Sequence, residues 1–125
     1  MAGFNGIAWF EIGTGDPAGA EKFYGDVFGW TVGQDDEDGP GYRRVTAGDG
    51  PGLHAGGLAD TGAEPGYAVF GVLVADVAET IRRVEAAGGR LGRAPQVTPG
   101  GITFAHLLDP AGNQFEVFTM PPGRG

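Results

Sequence analysis

Shifted by sixty residues, the chain falls onto itself: Phe10 meets Phe70, Ile12 meets Val72, Asp16 meets Asp76, Gly29 meets Gly89, Asp49 meets Asp109 and Gly52 meets Gly112. A repeat constrains the fold strongly, because each half must be the same supersecondary unit and must bury its apolar face in the same way. Each half reads alike. A β-type run (Ile7 to Ile12, then Ala68 to Val74) leads to an Asp placed to cap a helix, and Gly closes that helix. The first helix takes Asp16 as N-cap and Pro17 at its first position. Ala20, Phe23, Tyr24, Val27 and Phe28 are its predicted buried stripe, ending at Gly29. The second opens Asp76-Val77-Ala78-Glu79, a capping-box pattern, turns Val77, Ile81 and Val84 inward and stops at Gly88-Gly89.

Short β-type runs follow each helix: Trp30 to Val32, Tyr42 to Ala47 and Leu53 to Leu58, then Arg90 to Gly92, Thr103 to Leu108 and Gln114 to Thr119. Two βαβββ units result, and the fold class is α+β. With 125 residues, 41% of them hydrophobic, the chain fits a single domain over 1–125. Repeat one runs 4–58, a Gly-, Asp- and Pro-rich link 59–66, and repeat two 67–120. Gly 26 and Pro 9 raise the question of collagen or disorder. The first needs a strict Gly period and the second an apolar shortage, and neither is present.

Asp and Glu number 16 against 8 Lys and Arg, a net charge of −8. That balance argues against nucleic acid or an anionic lipid surface as partner, since both need a basic face. Without cysteine there is no disulfide, thiolate zinc site or cysteine nucleophile. Met1 to Phe10 lacks the basic and apolar regions of a signal peptide, and the longest apolar stretch, Tyr67 to Ala75, is too short to span a bilayer. A soluble cytoplasmic protein with no membrane partner is the expectation.

Gly13-x-Gly15-x-x-Ala18 formally matches a dinucleotide fingerprint, but Asp16 would set a carboxylate where a phosphate needs bare amides. It reads as a turn and a cap. Asp35 to Asp38 lack the alternation of a calcium loop and read as a solvated loop, or as an acidic rim attracting a cationic ligand. No nucleophile elbow, P-loop or His-Glu-x-x-His is present, so any site must be assembled across strands.

Ile7-Ala8-Trp9-Phe10-Glu11-Ile12, Asp16-Pro17, Phe23 to Trp30 and Asp109-Pro110-Ala111-Gly112-Asn113-Gln114-Phe115-Glu116-Val117 resemble the vicinal oxygen chelate superfamily, which includes glyoxalase I, extradiol dioxygenases and bleomycin-resistance proteins. The resemblance implies a cupped mixed sheet with its helices outside, and a homodimer. Phe10, Ile12, Phe70, Val72, Val74, Phe115 and Val117 are then expected against the helices, with Trp9, Glu11, His106 and Glu116 facing the cup. Metal-bearing relatives place ligands on the first and last strand of each half. Those positions fall here on Trp9, Val69, Gly56 and Glu116, and only Glu116 can ligate.

The resemblance therefore implies a metal-independent protein without cofactor that sequesters a small organic molecule, such as an antibiotic or metabolite. A cationic or donor-rich ligand is favoured by the charge. Trp9, Glu11, His54, Phe104, His106, Gln114 and Glu116 are the expected ligand-binding residues. The alternatives are a glyoxalase-like lyase or isomerase that uses a divalent metal, and a metal-free enzyme with Glu11 or Glu116 as general base beside His106. Glu11, His54, His106 and Glu116 are the right residue types for a metal, though no spacing argument makes them converge.

Overall fold

The computed structural model describes residues 3–34 and 41–121, so the acidic run Asp35 to Asp38 lies outside the described residues. The chain divides into two units, one formed by Trp9–Ala68 and the other by the residues up to Ala8 together with those from Val69 onward. The α+β class and both βαβββ repeats are present. Among the described residues, no helix is long and apolar enough to cross a membrane.

The Trp9–Ala68 unit carries most of β1 (Ile7–Thr14), then α1 (Pro17–Phe28), β2 (Thr31–Gln34), β3 (Tyr42–Thr46) and β4 (Ala55–Asp60), in the sheet order β2-β3-β4-β1. β1 and β4 are parallel and the other pairs antiparallel. Asp16 accepts from the Gly19 N–H at 3.1 Å, Pro17 opens α1, and Gly29 ends it in the left-handed region at φ 73°. The predicted stripe of α1 departs from expectation. Phe23, Val27 and Phe28 are 55–60% exposed, and no residue of the helix is buried. The reason is Trp30, just beyond the helix. Its ring stacks on Tyr24 at 5.0 Å and meets Phe10 at 5.7 Å, so aromatic contact with Tyr24 docks this helix instead of a continuous stripe.

The second unit carries most of β5 (Tyr67–Leu73), then α2 (Val77–Ala86), β6 (Arg90–Val97), β7 (Thr103–Leu108) and β8 (Gln114–Thr119), in the order β5-β8-β7-β6. Again the first and last strands of the repeat are parallel and the rest antiparallel. Its core is Val74, Val77, Ala105, Leu107 and Val117, onto which Val72, Ile81, Val84 and Phe115 pack. The inward residues of α2 thus meet alternate residues of β7 and β8, as helical and strand periodicity require. Phe70 is an exception: 44% exposed, it leans on Phe115 at 6.0 Å. The capping box is half realised, because Asp76 accepts from the Glu79 N–H while the Glu79 carboxylate turns to Arg82 and Arg83. β6 runs five residues beyond the expected Gly92. As an edge strand, exposed throughout, it absorbs Pro95 at a register irregularity.

Candidate active site

On β7, Ala105 and Leu107 face α2, so His106 points to the other side of the sheet. Val117 on β8 likewise faces α2 and turns Glu116 to the side of His106. The two are cross-strand partners. Both are buried, His106 to 2% and Glu116 to 4% exposure, and His106 Nε2 lies 3.2 Å from Glu116 Oε2. The exposed Gln114, two residues before Glu116 on the same face, donates its amide Nε2 to His106 Nδ1 at 2.9 Å. The half-buried Phe104 sets its ring 6.0 Å from the imidazole. Four expected site residues, Phe104, His106, Gln114 and Glu116, are therefore brought together in one unit.

Trp9 and Glu11 belong to the other unit, where they meet through a residue not foreseen. Tyr42 on β3 donates its hydroxyl to Glu11 Oε1 at 3.1 Å and accepts from the Trp9 indole N–H at 3.0 Å. Tyr67 donates to Glu11 Oε2 at 2.5 Å. Glu11 is 6% exposed, and these charge-assisted bonds offset the loss of its hydration. Glycines make the approach possible. A Cβ at Gly57 would overlap the Tyr42 hydroxyl, and one at Gly13 would overlap the Tyr67 ring. On the opposite face, Phe10 lies over Gly56 in the same way. The sequence signal for Tyr42 was this pair of glycines inside a buried strand, which marks a close approach by something else. Arg44, next on the Tyr42 face of β3, holds its guanidinium 5.4 Å from the centre of the Trp9 ring.

His54 does not join the Glu11 cluster. It sits in the β3–β4 loop, with Nδ1 at the Ala47 carbonyl (3.1 Å) and Nε2 at the Gly50 carbonyl. Two acceptors call for two N–H donors, and these bonds, that to Gly50 first, raise its pKa from 6.5. A groove between α1 and β2, floored by Trp30, has its charges already paired, Lys22 with Asp26 and Glu21 with Arg43. It lacks the convergent polar groups of a small-molecule site.

The strand registers refine the repeat. Glu11 pairs with Gly57, and Gly71 pairs with Glu116, so Gly57 rather than Gly56 is the counterpart of Glu116. The family ligand positions are then Trp9, Gly57, Val69 and Glu116. The Trp9 N–H is bonded to Tyr42, Gly57 has no side chain and Val69 is buried and apolar. Three of the four offer no donor atom to an ion, so the family's four-ligand metal arrangement does not fit this chain.

The chain is 42% identical over 58 residues to "Probable lactoylglutathione lyase, chloroplastic" of Arabidopsis thaliana, a match spanning 46% of this chain and 17% of the plant protein. A methylmalonyl-CoA epimerase has a similar fold, with a TM-score of 0.62 at 15% identity over 97% of this chain and 99% of that one. So does the Mn(II)-bound glyoxalase from Novosphingobium aromaticivorans, with a TM-score of 0.59 at 24% identity over 93% of this chain and 39% of that one. The family model described as Glyoxalase/Bleomycin resistance protein/Dioxygenase superfamily matches residues 6–117, and the chain belongs to that superfamily.

Proposed function

We propose that the protein catalyses proton transfer at a carbon beside the carbonyl of a small organic molecule, with Glu116 as general base and His106 as its hydrogen-bonding partner. One observation carries this reading. Glu116 is 4% exposed, its Oε2 is at His106, and among the described residues its Oε1 has no hydrogen-bonding partner. Leaving a buried carboxylate oxygen without a donor costs about 1–3 kcal/mol or more, and an apolar side chain at this strand position would avoid the cost. Such an oxygen is a proton acceptor already held in place. A buried ionisable pair held at such a cost is an arrangement that working sites use.

Relatives named as a lactoylglutathione lyase and as methylmalonyl-CoA epimerases handle thioesters, whose carbonyls acidify the adjacent C–H. The net charge of −8 disfavours a phosphate-bearing carrier here. A neutral or cationic, donor-rich carbonyl compound is the substrate class that the charge supports.

The metal-free binder reading places Trp9 among the residues that meet the ligand. With its N–H on Tyr42 and Arg44 above its ring, Trp9 serves instead as a support for the Glu11 cluster. The test is a panel of ketones, 2-oxoaldehydes and acyl thioesters of differing charge, incubated in D2O and followed by proton NMR. Protein-dependent exchange of the C–H is expected on neutral or cationic members, falling about 10²–10⁴-fold in Glu116→Gln. A compound that saturates the protein without exchanging would support the binder and refute the enzyme.

A further inference from the structure

We infer that Gln114 is a positioning residue whose amide selects the His106 tautomer and thereby keeps Glu116 in the form of a base. The inference rests on the reading of Glu116 as the proton acceptor. A neutral imidazole has one N–H donor and one bare nitrogen, and the partner of either nitrogen decides which is which. The Gln114 amide nitrogen stands 2.9 Å from His106 Nδ1, so the amide donates and Nδ1 accepts. The ring proton is then on Nε2, aimed at Glu116 Oε2 across 3.2 Å.

The opposite tautomer has a different consequence. A bare Nε2 would face a carboxylate oxygen, two acceptors in contact, unless Glu116 took up a proton. A protonated Glu116 donates to Nε2 and is no longer a base. The choice made at Nδ1 is therefore transmitted through the ring to the reactivity of Glu116.

Register places the three groups for this purpose. His106 is opposite Glu116, and Gln114 is opposite Leu108, so Gln114 reaches the imidazole along the diagonal of the β7–β8 ladder. His106 and Glu116 are buried whereas Gln114 is exposed. A residue needed only for packing would have no reason to aim an amide at a ring nitrogen from the solvent side, and its exposure means that it can be replaced without opening the core.

The chain has two histidines, so long-range proton–nitrogen NMR of the imidazoles is simple to assign, with His54→Ala identifying the other signal. The expected result is an unprotonated Nδ1 and a protonated Nε2 on His106 at neutral pH. Gln114→Glu, which offers only acceptors, should move a proton onto Nδ1, while Gln114→Lys, which offers only donors, should keep the native pattern. Deuterium exchange should fall about 10–100-fold in Gln114→Glu through kcat with little change in KM, and Gln114→Lys should retain most of the rate. A protonated Nδ1 in the unaltered protein, or a Gln114→Glu ring unchanged from it, overturns the inference. So does a switched tautomer with an undiminished rate. If the tautomers behave as expected but Glu116→Gln exchanges as fast as the parent, the assignment to Gln114 stands and the reading of Glu116 as base falls.

Discussion

Replacing Gly57 by Ala adds one methyl group at the position where the Tyr42 hydroxyl lies. Gly57 sits between Glu11 on β1 and Arg44 on β3, so its backbone is pinned on both sides and the tyrosine must give way. When the ring swings, two bonds go together: the Tyr42 hydroxyl to Glu11 and the Trp9 indole N–H to Tyr42. A hydrogen bond to a charged acceptor is worth about 1.5–3 kcal/mol and a neutral one about 0.5–1.5. The lower chain entropy of unfolded Ala returns about 0.4–1 kcal/mol. The net loss expected is about 1–4 kcal/mol, read as a lower urea midpoint with an unchanged slope. Gly33→Ala on β2 is the control, since open space lies where its Cβ would go, and it should be neutral or slightly stabilising. In a Tyr42→Ala background the obstruction is gone and Gly57→Ala should cost almost nothing, a coupling of about 1 kcal/mol or more. Additive effects of the two substitutions would refute the close approach that organises the Glu11 cluster.

His54 has a raised pKa because the Gly50 and Ala47 carbonyls hold its protonated ring. Its contribution to loop order is therefore complete below about pH 6.5 and lost as pH rises through the higher folded value. An NMR titration placing the His54 pKa at or below 6.5 would contradict this. Asp109 has a lowered pKa, chiefly through the Asn113 side chain, so the β7–β8 turn should keep its full stability above pH 3.8 and loosen only as pH falls through the lower folded value. Amide exchange at Ala111 and Asn113, whose N–H groups bond to Asp109, should show the loss, and Asp109→Ala should produce it at neutral pH.

The repeat made the architecture legible because caps and glycines keep their spacing: Asp16 and Asp76 both cap, and the helices stop at Gly29 and just before Gly88. The site was only partly legible. Phe104, His106, Gln114 and Glu116 follow from alternation along two adjacent strands, which a sequence displays. Tyr42 and Tyr67 reach Glu11 from 31 and 56 residues away, and only the pairing of strands reveals that. The sixty-residue shift also slips by one residue at the last strand, since the β3–β4 connection is longer than its β7–β8 counterpart and the longer path through β6 to β7 offsets this only in part. That slip moved the counterpart of Glu116 from Gly57 to Gly56. The buried stripe of α1 misled for another reason: helical spacing reports which residues share a face, whereas Trp30, outside the helix, decides which of them dock.

The two buried glutamates differ in how their carboxylates are paired. Glu11 takes a hydroxyl on each of its oxygens, from Tyr42 and Tyr67, and so has its hydration replaced. Glu116 has His106 on one oxygen and, among the described residues, no partner on the other. The same substitution should therefore cost less at Glu116 than at Glu11. In Glu11→Gln, one tyrosine O–H meets an amide N–H instead of an acceptor, at a cost of about 1–3 kcal/mol. In Glu116→Gln, the amide oxygen still accepts from His106 and an incompletely paired buried charge disappears, while the amide N–H groups take the unpartnered place at a cost of about 1–3 kcal/mol. The two effects offset, and the net loss should be smaller than in Glu11→Gln as exchange activity is lost. Urea midpoints of the two variants, measured side by side, decide the matter. A Glu116→Gln protein less stable than Glu11→Gln would mean that the Glu116 carboxylate serves to hold the sheet together, and the case for it as the base would lose its physical ground.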